Sequence, residues 1–161
     1  MARDERERVV ERYIELTGLT GFEHSYPHQL SGGMKQRVAI ARTLANTPRV
    51  LLMDEPFGSV DALTREFLQD EILRLWEVER KTIVFVTHSI MEAAYLGDEV
   101  LMFTPRPGRI FARTPVPVSR PRKRSDLTFL DFYGKIQELF REQVGGDSHG
   151  RARETVADPT H

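Results

Sequence analysis

Two adjacent carboxylates, Asp54 and Glu55, follow the apolar run 50–53 and precede Pro56. The run is bounded by turn signals and predicts a strand buried on both faces of a parallel sheet. Because open α/β sheets bind ligands beyond the carboxyl ends of their strands, the pair is placed for metal and water chemistry. One carboxylate can serve Mg²⁺ while the other accepts a proton from an attacking water. A solvated acidic turn is the alternative interpretation.

A glycine-rich turn, Ser31-Gly32-Gly33, leads directly into a predicted helix over residues 32–46. Free backbone N–H groups, the helix dipole and a small hydroxyl can together bind an anion at such a start. Taken alone, an ordinary serine N-cap followed by two glycines explains the turn better.

Two further polar residues lie at predicted element ends. His88 follows the predicted strand 82–87, on the same sheet edge as the carboxylate pair, where it could contact a transferring phosphoryl group. A lone histidine at a strand end is usually structural, and Asp61 could be only the N-cap of the helix that follows it.

The elements that position these residues are predicted from periodicity and turn signals. A strand, a helix and a second strand in succession imply a right-handed parallel crossover, so the fold class is α/β. The other predicted elements are an amphipathic helix 3–16, a short helix 90–95, strands 99–103 and 109–113, and a last helix 127–140. The Pro- and Arg-rich stretch after Phe103 predicts a linker or edge segment, and the tail from Gly145 is predicted to be disordered.

Composition narrows the class of protein. The 161 residues are 40% hydrophobic and 29% charged, which suits one globular domain. A net charge of −1 excludes a global attraction to nucleic acid or anionic lipid. The lack of cysteine excludes a disulfide framework or cysteine-ligated zinc, and it is compatible with a reducing cytosol. The longest apolar runs, 50–53 and 83–86, are far shorter than the roughly 20 residues of a spanning helix, and the N-terminus does not read as a signal peptide.

In this order, the motifs resemble the ATP-binding cassette (ABC) family over about residues 3–110. The motifs that carry the resemblance are Tyr26-Pro27-His28-Gln29 leading into the signature motif Leu30 to Arg37, then Val50 to Pro56, Gly58-Ser59-Val60-Asp61 and Thr87-His88. The resemblance implies part of a P-loop NTPase core of the ABC type, a parallel sheet flanked by helices, with part of the helical subdomain. The implied domains are 1–30 helical subdomain, 31–114 C-terminal part of the ATPase core, 115–143 basic linker and C-terminal helix, and 144–161 disordered tail.

The resemblance also implies a role for each motif residue. Asp54 would support Mg²⁺, Glu55 would be the general base for the hydrolytic water, and His88 would reach the γ-phosphate of ATP. The signature residues would engage ATP held by the opposite subunit of a dimer, and Asp61 would communicate across that dimer. The implied nucleotide-contacting set is Ser31, Gly32, Gly33, Gln36 and Asp61.

Within the family, residues 54–65 and 105–110 look like ATP-binding subunits of nitrate, sulfonate and taurine importers. Such a subunit would pair with a second ATP-binding subunit and with transmembrane permease subunits, and indirectly with an extracytoplasmic solute-binding protein. A channel helix would sit against residues 3–29. The implied location is peripheral, at the cytoplasmic face of the cell membrane.

The sequence contains no Gly-x-x-x-x-Gly-Lys-[Ser/Thr] phosphate loop. The resemblance places that loop upstream of Met1, on a strand beside the one that ends at His88. Its absence would leave an apolar strand edge unpaired, so we expect the chain alone to be poorly stable and unable to hydrolyse ATP. A non-catalytic regulatory or dimerisation module that supplies signature residues to a complete partner is the alternative function. Nucleic-acid binding through the basic residues 120–124 is the least favoured, and no nucleic-acid partner is expected.

Overall fold

The computed structural model describes residues 3–58 and 60–151, with side chains described as far as residue 143. A 3-10 turn, Pro27–Gln29, precedes the signature turn. The helices and strands, in chain order, are α1 (Arg3–Leu16), α2 (Gly32–Leu44), β1 (Val50–Asp54), α3 (Ala62–Glu79), β2 (Thr82–Val86), α4 (Ile90–Leu96), β3 (Glu99–Phe103), β4 (Ile110–Pro115) and α5 (Leu127–Arg151). The chain divides into two compact units, Met1–His88 and Ser89–His161.

In the first unit, β1 and β2 pair in parallel, with Val50 opposite Thr82 and Asp54 opposite Val86. The predicted parallel pairing through a connecting helix is confirmed. Alternate residues of β1, Leu51 and Met53, are buried. They face apolar side chains of α2 and α3, namely Ile40, Leu44, Ile72, Leu75 and Trp76. One face of the two-stranded sheet is therefore covered by both helices.

The other face of this sheet is apolar and exposed. Leu52 is 74% exposed, and Val50, Val84 and Val86 are each about half exposed. The prediction that residues 50–53 are buried on both faces is wrong for the described chain, because α2 and α3 both pack on the side of Leu51 and Met53. Parallel strands rich in branched residues are normally covered on both faces, so this surface is atypical.

In the second unit, β3 and β4 form an antiparallel pair with an irregularity between Met102 and Phe103. The predicted strand 99–103 is confirmed, and the strand predicted at 109–113 runs from Ile110 to Pro115. A short loop joins them, which permits antiparallel pairing but not a parallel crossover. The buried core of this unit consists of Ala94, Tyr95, Leu96, Val100, Met102, Phe129, Phe132 and Ile136.

Helix α5 continues to Arg151, past Gly145, where the sequence predicts a disordered tail to begin. Glycine in a helix interior costs only about 1 kcal/mol relative to alanine, so two glycines need not end a helix. Residues 152–161 of that predicted tail lie outside the described residues.

The basic, proline-rich segment that was predicted to be a linker is packed into the second unit. Arg122 is 6% exposed, and its guanidinium donates hydrogen bonds to the carbonyl oxygens of Tyr95 at 2.7 Å and Gly97 at 2.8 Å, with a longer one to Ala94 at 3.3 Å. Arg120 pairs with Asp98 and donates to the carbonyl of Leu96. These carbonyls end α4 and have no partner within the helix, and a cation there also opposes the helix dipole. The arginines are therefore structural rather than solvated.

Candidate functional site

The predicted catalytic residues meet at the carboxyl ends of β1 and β2. Asp54 is the last residue of β1 and lies opposite Val86, the last residue of β2. The backbone N–H of Glu55 donates to the carbonyl of Val86 at 2.9 Å, which extends the pairing by one residue. His88 lies two residues after Val86, the end of β2. The sheet edge that the sequence predicts for Glu55 and His88 is therefore confirmed.

Glu55 and His88 are in direct contact. The Nδ1 atom of His88 lies 3.3 Å from Oε2 of Glu55, and the two side chains are 75% and 51% exposed. The contact is an ion pair when the imidazole is protonated. Both side chains lie at the sheet edge and remain open to water and ligands.

Glu55 also has an unusual backbone conformation, with φ of 42°. This left-handed region is uncommon for residues other than glycine and costs about 1–2 kcal/mol. The carbonyl of Glu55 accepts from the N–H of Gly58 at 3.1 Å, which helps to hold the turn. Such strain is common at functional sites, and nothing in the sequence pattern indicated it.

The signature turn begins α2 as expected. The Oγ atom of Ser31 accepts from the N–H of Met34 at 3.2 Å, so Ser31 is the N-cap. Gly33 lies against α3, because a Cβ atom at this position would stand 3.0 Å from Cγ2 of Thr64. A Cβ at Gly32 would meet no atom within 4 Å. A larger residue at position 33 would therefore displace the Thr64 side chain, whereas Gly32 leaves its backbone accessible.

Asp61 caps α3 in the same manner. Its Oδ1 atom accepts from the N–H of Thr64 at 3.0 Å, and the carbonyl of Asp61 accepts from Arg65. Hydrogen bonds from the side chain and backbone of Thr64 lower the pKa of the Asp61 carboxyl below its ordinary value. The N-cap role considered for Asp61 is confirmed, and it does not exclude a further role because the side chain is exposed.

The starts of α2 and α3 form an open groove of about 360 Å³, which we call the signature groove. Its lining residues are Ser31, Gly33, Met34, Arg37, Leu63, Thr64, Phe67 and Leu68. Gln36 lies in the second turn of α2 and is partly exposed. The predicted site residues therefore fall into two groups, one at the sheet edge and one around this groove.

The sheet edge offers suitable donors for a hard cation. Within residues 3–58 and 60–143, no three His, Asp or Glu side chains are grouped closely enough to hold a metal by themselves. Asp54 is an exposed carboxylate at a strand end. Magnesium in nucleotide sites is usually held by one or two carboxylates together with phosphate oxygens and water, so Asp54 fits such an ion.

Comparison with known proteins agrees with these motifs. Residues 2–58 match the model of the ABC transporter family. The chain is 49% identical over 138 residues to the nitrate import ATP-binding protein NrtD of Synechococcus elongatus, covering 85% of this chain and 50% of the relative. It is 44% identical over 137 residues to the aliphatic sulfonates import ATP-binding protein SsuB of Bacillus cereus, covering 85% and 54%.

Solved structures show the same fold. CbiO1 of Clostridium perfringens, part of the ABC transporter complex cbiONQ, superposes with a TM-score of 0.66 at 28% identity, covering 72% of this chain and 45% of that one. A dimeric ATP-binding cassette bound to ADP and phosphate gives a TM-score of 0.59 at 33% identity, covering 74% and 50%. Over most of its length the chain is similar to ATP-binding proteins of ABC transporters. It spans about half the length of the curated relatives it matches.

In the part of the chain that the structure describes, no helix is long and apolar enough to cross a membrane.

Proposed function

We propose that this chain is part of an ATP-binding and ATP-hydrolysing subunit that powers an ABC importer for a small solute of the nitrate, sulfonate or taurine type. The observation that carries this proposal is the contact of 3.3 Å between Glu55 and His88, at the edge where a parallel sheet presents its ligand-binding groups. The similarity to a nitrate import protein and a sulfonate import protein supports the solute class.

The sheet edge would carry out the hydrolytic chemistry. Glu55 would take the proton of the attacking water, because its carboxylate is half exposed at the sheet edge and contacts His88. Asp54 would hold Mg²⁺, which supplies positive charge to the phosphate oxygens when it is bound. His88 would contact the γ-phosphate through its Nε2 atom, since Nδ1 faces Glu55.

The signature groove would act on the nucleotide of a second subunit. Gly32 is open to a close approach by a phosphate, and the capped start of α2 directs backbone N–H groups and the positive end of the helix dipole to the same place. Ser31, Gly33 and Gln36 would complete this contact. Asp61, exposed at the start of α3, would communicate with the partner subunit.

The chain by itself is expected to be inactive towards ATP. Its sequence contains no phosphate loop, and phosphoryl transfer depends on the backbone amides and lysine of such a loop to hold the β- and γ-phosphates. The exposed apolar face of β1 and β2 supports the companion expectation of low stability in isolation, since exposed apolar strands favour aggregation. Hydrolysis would therefore require the phosphate-binding half, supplied by the same polypeptide or by another one.

The proposed partners follow from the relatives. These are a second ATP-binding subunit, transmembrane permease subunits contacting residues 3–29, and an extracytoplasmic solute-binding protein that acts through the permease. The subunit would lie peripherally at the cytoplasmic face of the cell membrane.

The alternative is a non-catalytic regulatory or dimerisation module that supplies signature residues to a complete ATPase. The capped signature turn of this chain is compatible with that function. Such a module would bind a partner's nucleotide without hydrolysing any of its own.

The native assembly decides between the two functions. A purification tag on the chromosomal copy would recover this chain with whatever completes it, and an intact mass would be measured on the same sample. We expect ATP hydrolysis that Glu55→Gln lowers about 10²- to 10⁴-fold while ATP binding is retained. Asp70→Asn, at an exposed acid of α3, is the matched control. Unchanged hydrolysis in the Glu55→Gln assembly would show that another polypeptide supplies the base and would favour the module.

A further inference from the structure

Arg37 ends the signature motif, and the proposed chemistry gives it no role. Its side chain lines the signature groove and also reaches two carbonyls just beyond the end of α1. Nη1 of Arg37 lies 3.5 Å from the oxygen of Thr17 and 3.4 Å from that of Gly18. On its other side, the guanidinium stacks over the ring of Phe67 in α3, 4.5 Å from the centroid. This half-buried side chain of α2 therefore contacts two other segments, the turn after α1 and helix α3.

The residues that follow α1 leave space for this guanidinium and present carbonyl oxygens to it. Gly18 has φ of 62°, and a Cβ atom at that position would stand 3.2 Å from Nη1 of Arg37. Thr17 is buried and its hydroxyl donates to the carbonyl of Tyr13 at 2.6 Å, which fixes the last turn of α1. The oxygens of Thr17 and Gly18 lie beyond the end of the helix, where carbonyls need outside donors and a cation is favourable.

The contact lies at matching heights on α2 and α3. Arg37 is six residues after the N-cap Ser31 (37 − 31 = 6), and Phe67 is six residues after the N-cap Asp61 (67 − 61 = 6). Six residues of α-helix rise about 9 Å, so the Cα atoms of Arg37 and Phe67 each lie about 9 Å along the helix from its N-cap. This contact therefore helps to set the spacing of the two helix starts, where Gly33 and Thr64 are closely packed.

We propose that Arg37 is a positioning residue that ties the end of α1 to α3 and so fixes the signature turn relative to the Asp61 cap. The inference rests on the proposed function, because only there do these two helix starts act on one nucleotide. A displacement of α1, the region proposed to face the permease, would then be transmitted to both helix starts together. Although Arg37 lines the signature groove, in this scheme it acts through the spacing of the helix starts and not as a nucleotide ligand.

The test compares Arg37→Gln with Arg42→Gln, an exposed arginine of the same helix, in the tagged native assembly. We expect kcat for ATP to fall about tenfold with KM changed less than twofold, because misplaced groups lower the rate without removing a binding contact. Amide exchange at residues 17–19 should rise about five- to twenty-fold, while exchange in β1 stays unchanged. Arg42→Gln should change none of these values.

A second variant distinguishes the loss of this contact from a general loss of folding. Phe67→Leu removes the stacking ring and keeps an apolar side chain in the signature groove, so it should reproduce the kinetic change in weaker form. The double variant should lose less than the sum of the two single effects. A raised KM with unchanged kcat would make Arg37 a nucleotide-binding residue and overturn the inference. Faster exchange throughout the unit, or equal losses in Arg42→Gln, would also overturn it.

The two proposals can fail separately. Wild-type assembly without ATP hydrolysis refutes the proposed function. Wild-type hydrolysis together with unchanged kcat in Arg37→Gln refutes only the role of Arg37, and unchanged exchange at residues 17–19 refutes the structural tie whether or not ATP is hydrolysed.

Discussion

Replacing Arg122 with methionine should lower the stability of the second unit and leave that of the first unit unchanged. Arg122 is 6% exposed and donates to four carbonyls, those of Ala94, Tyr95, Gly97 and Val118, at 2.7–3.3 Å. Methionine can fill much of the volume but cannot donate, so these carbonyls lose their donor in a buried place. Each such loss costs about 1–3 kcal/mol, and partial access to water and a long contact reduce the sum.

We therefore expect a loss of about 3–5 kcal/mol in the free energy of opening the second unit, as for other broken buried networks. This corresponds to amide exchange that is faster by a factor of about 10² to 4 × 10³ in α4 and in the first half of α5. The assay is hydrogen exchange with mass spectrometry on the purified native assembly. Fluorescence of Trp76, the single tryptophan, reports on the first unit, where we expect little change.

The matched control is Arg113→Met. Arg113 pairs with Glu99 at 2.6 Å, but its side chain is 72% exposed, and exposed ion pairs contribute little to stability. If Arg122→Met exchanged no faster than Arg113→Met, the carbonyl contacts of Arg122 would not stabilise the unit and the reasoning would be wrong.

Two further predictions concern the first unit. Leu52→Lys should increase the soluble yield of the isolated chain several-fold, because Leu52 is 74% exposed on an apolar sheet face. Leu51→Lys should lower the soluble yield, because Leu51 is buried. Equal yields of the two variants in a sedimentation assay would contradict this prediction. The lowered pKa of Asp61 means that its cap stabilises the fold above the ordinary aspartate value of 3.8 and that this contribution is lost as pH falls through the lower folded value. Asp61→Asn keeps the cap and should flatten this part of an acid unfolding curve, and an unchanged curve would show that other acids control it.

The start of each long helix could be predicted from the sequence. Ser31 and Asp61 are N-caps as expected, and the predicted helices 3–16 and 32–46 agree with α1 and α2 within two residues. Capping and periodicity depend on residues within one or two turns, so the local sequence is sufficient. The strand ends at Asp54 and Val86 were likewise predicted closely, and their shared edge followed from parallel pairing.

The sequence by itself determined the family motifs, most of the element types and which polar residues lie at element ends, because each depends on neighbouring residues. Only the tertiary structure decided what distant residues do. Arg122 bonds carbonyls 25 to 28 residues away, and Arg37 reaches back 19 and 20 residues and forward to Phe67. Glu55 has positive φ and contacts His88. Such contacts depend on the path of the chain between the partners, and an arginine in a Pro-rich stretch has the same local pattern whether it is solvated or buried.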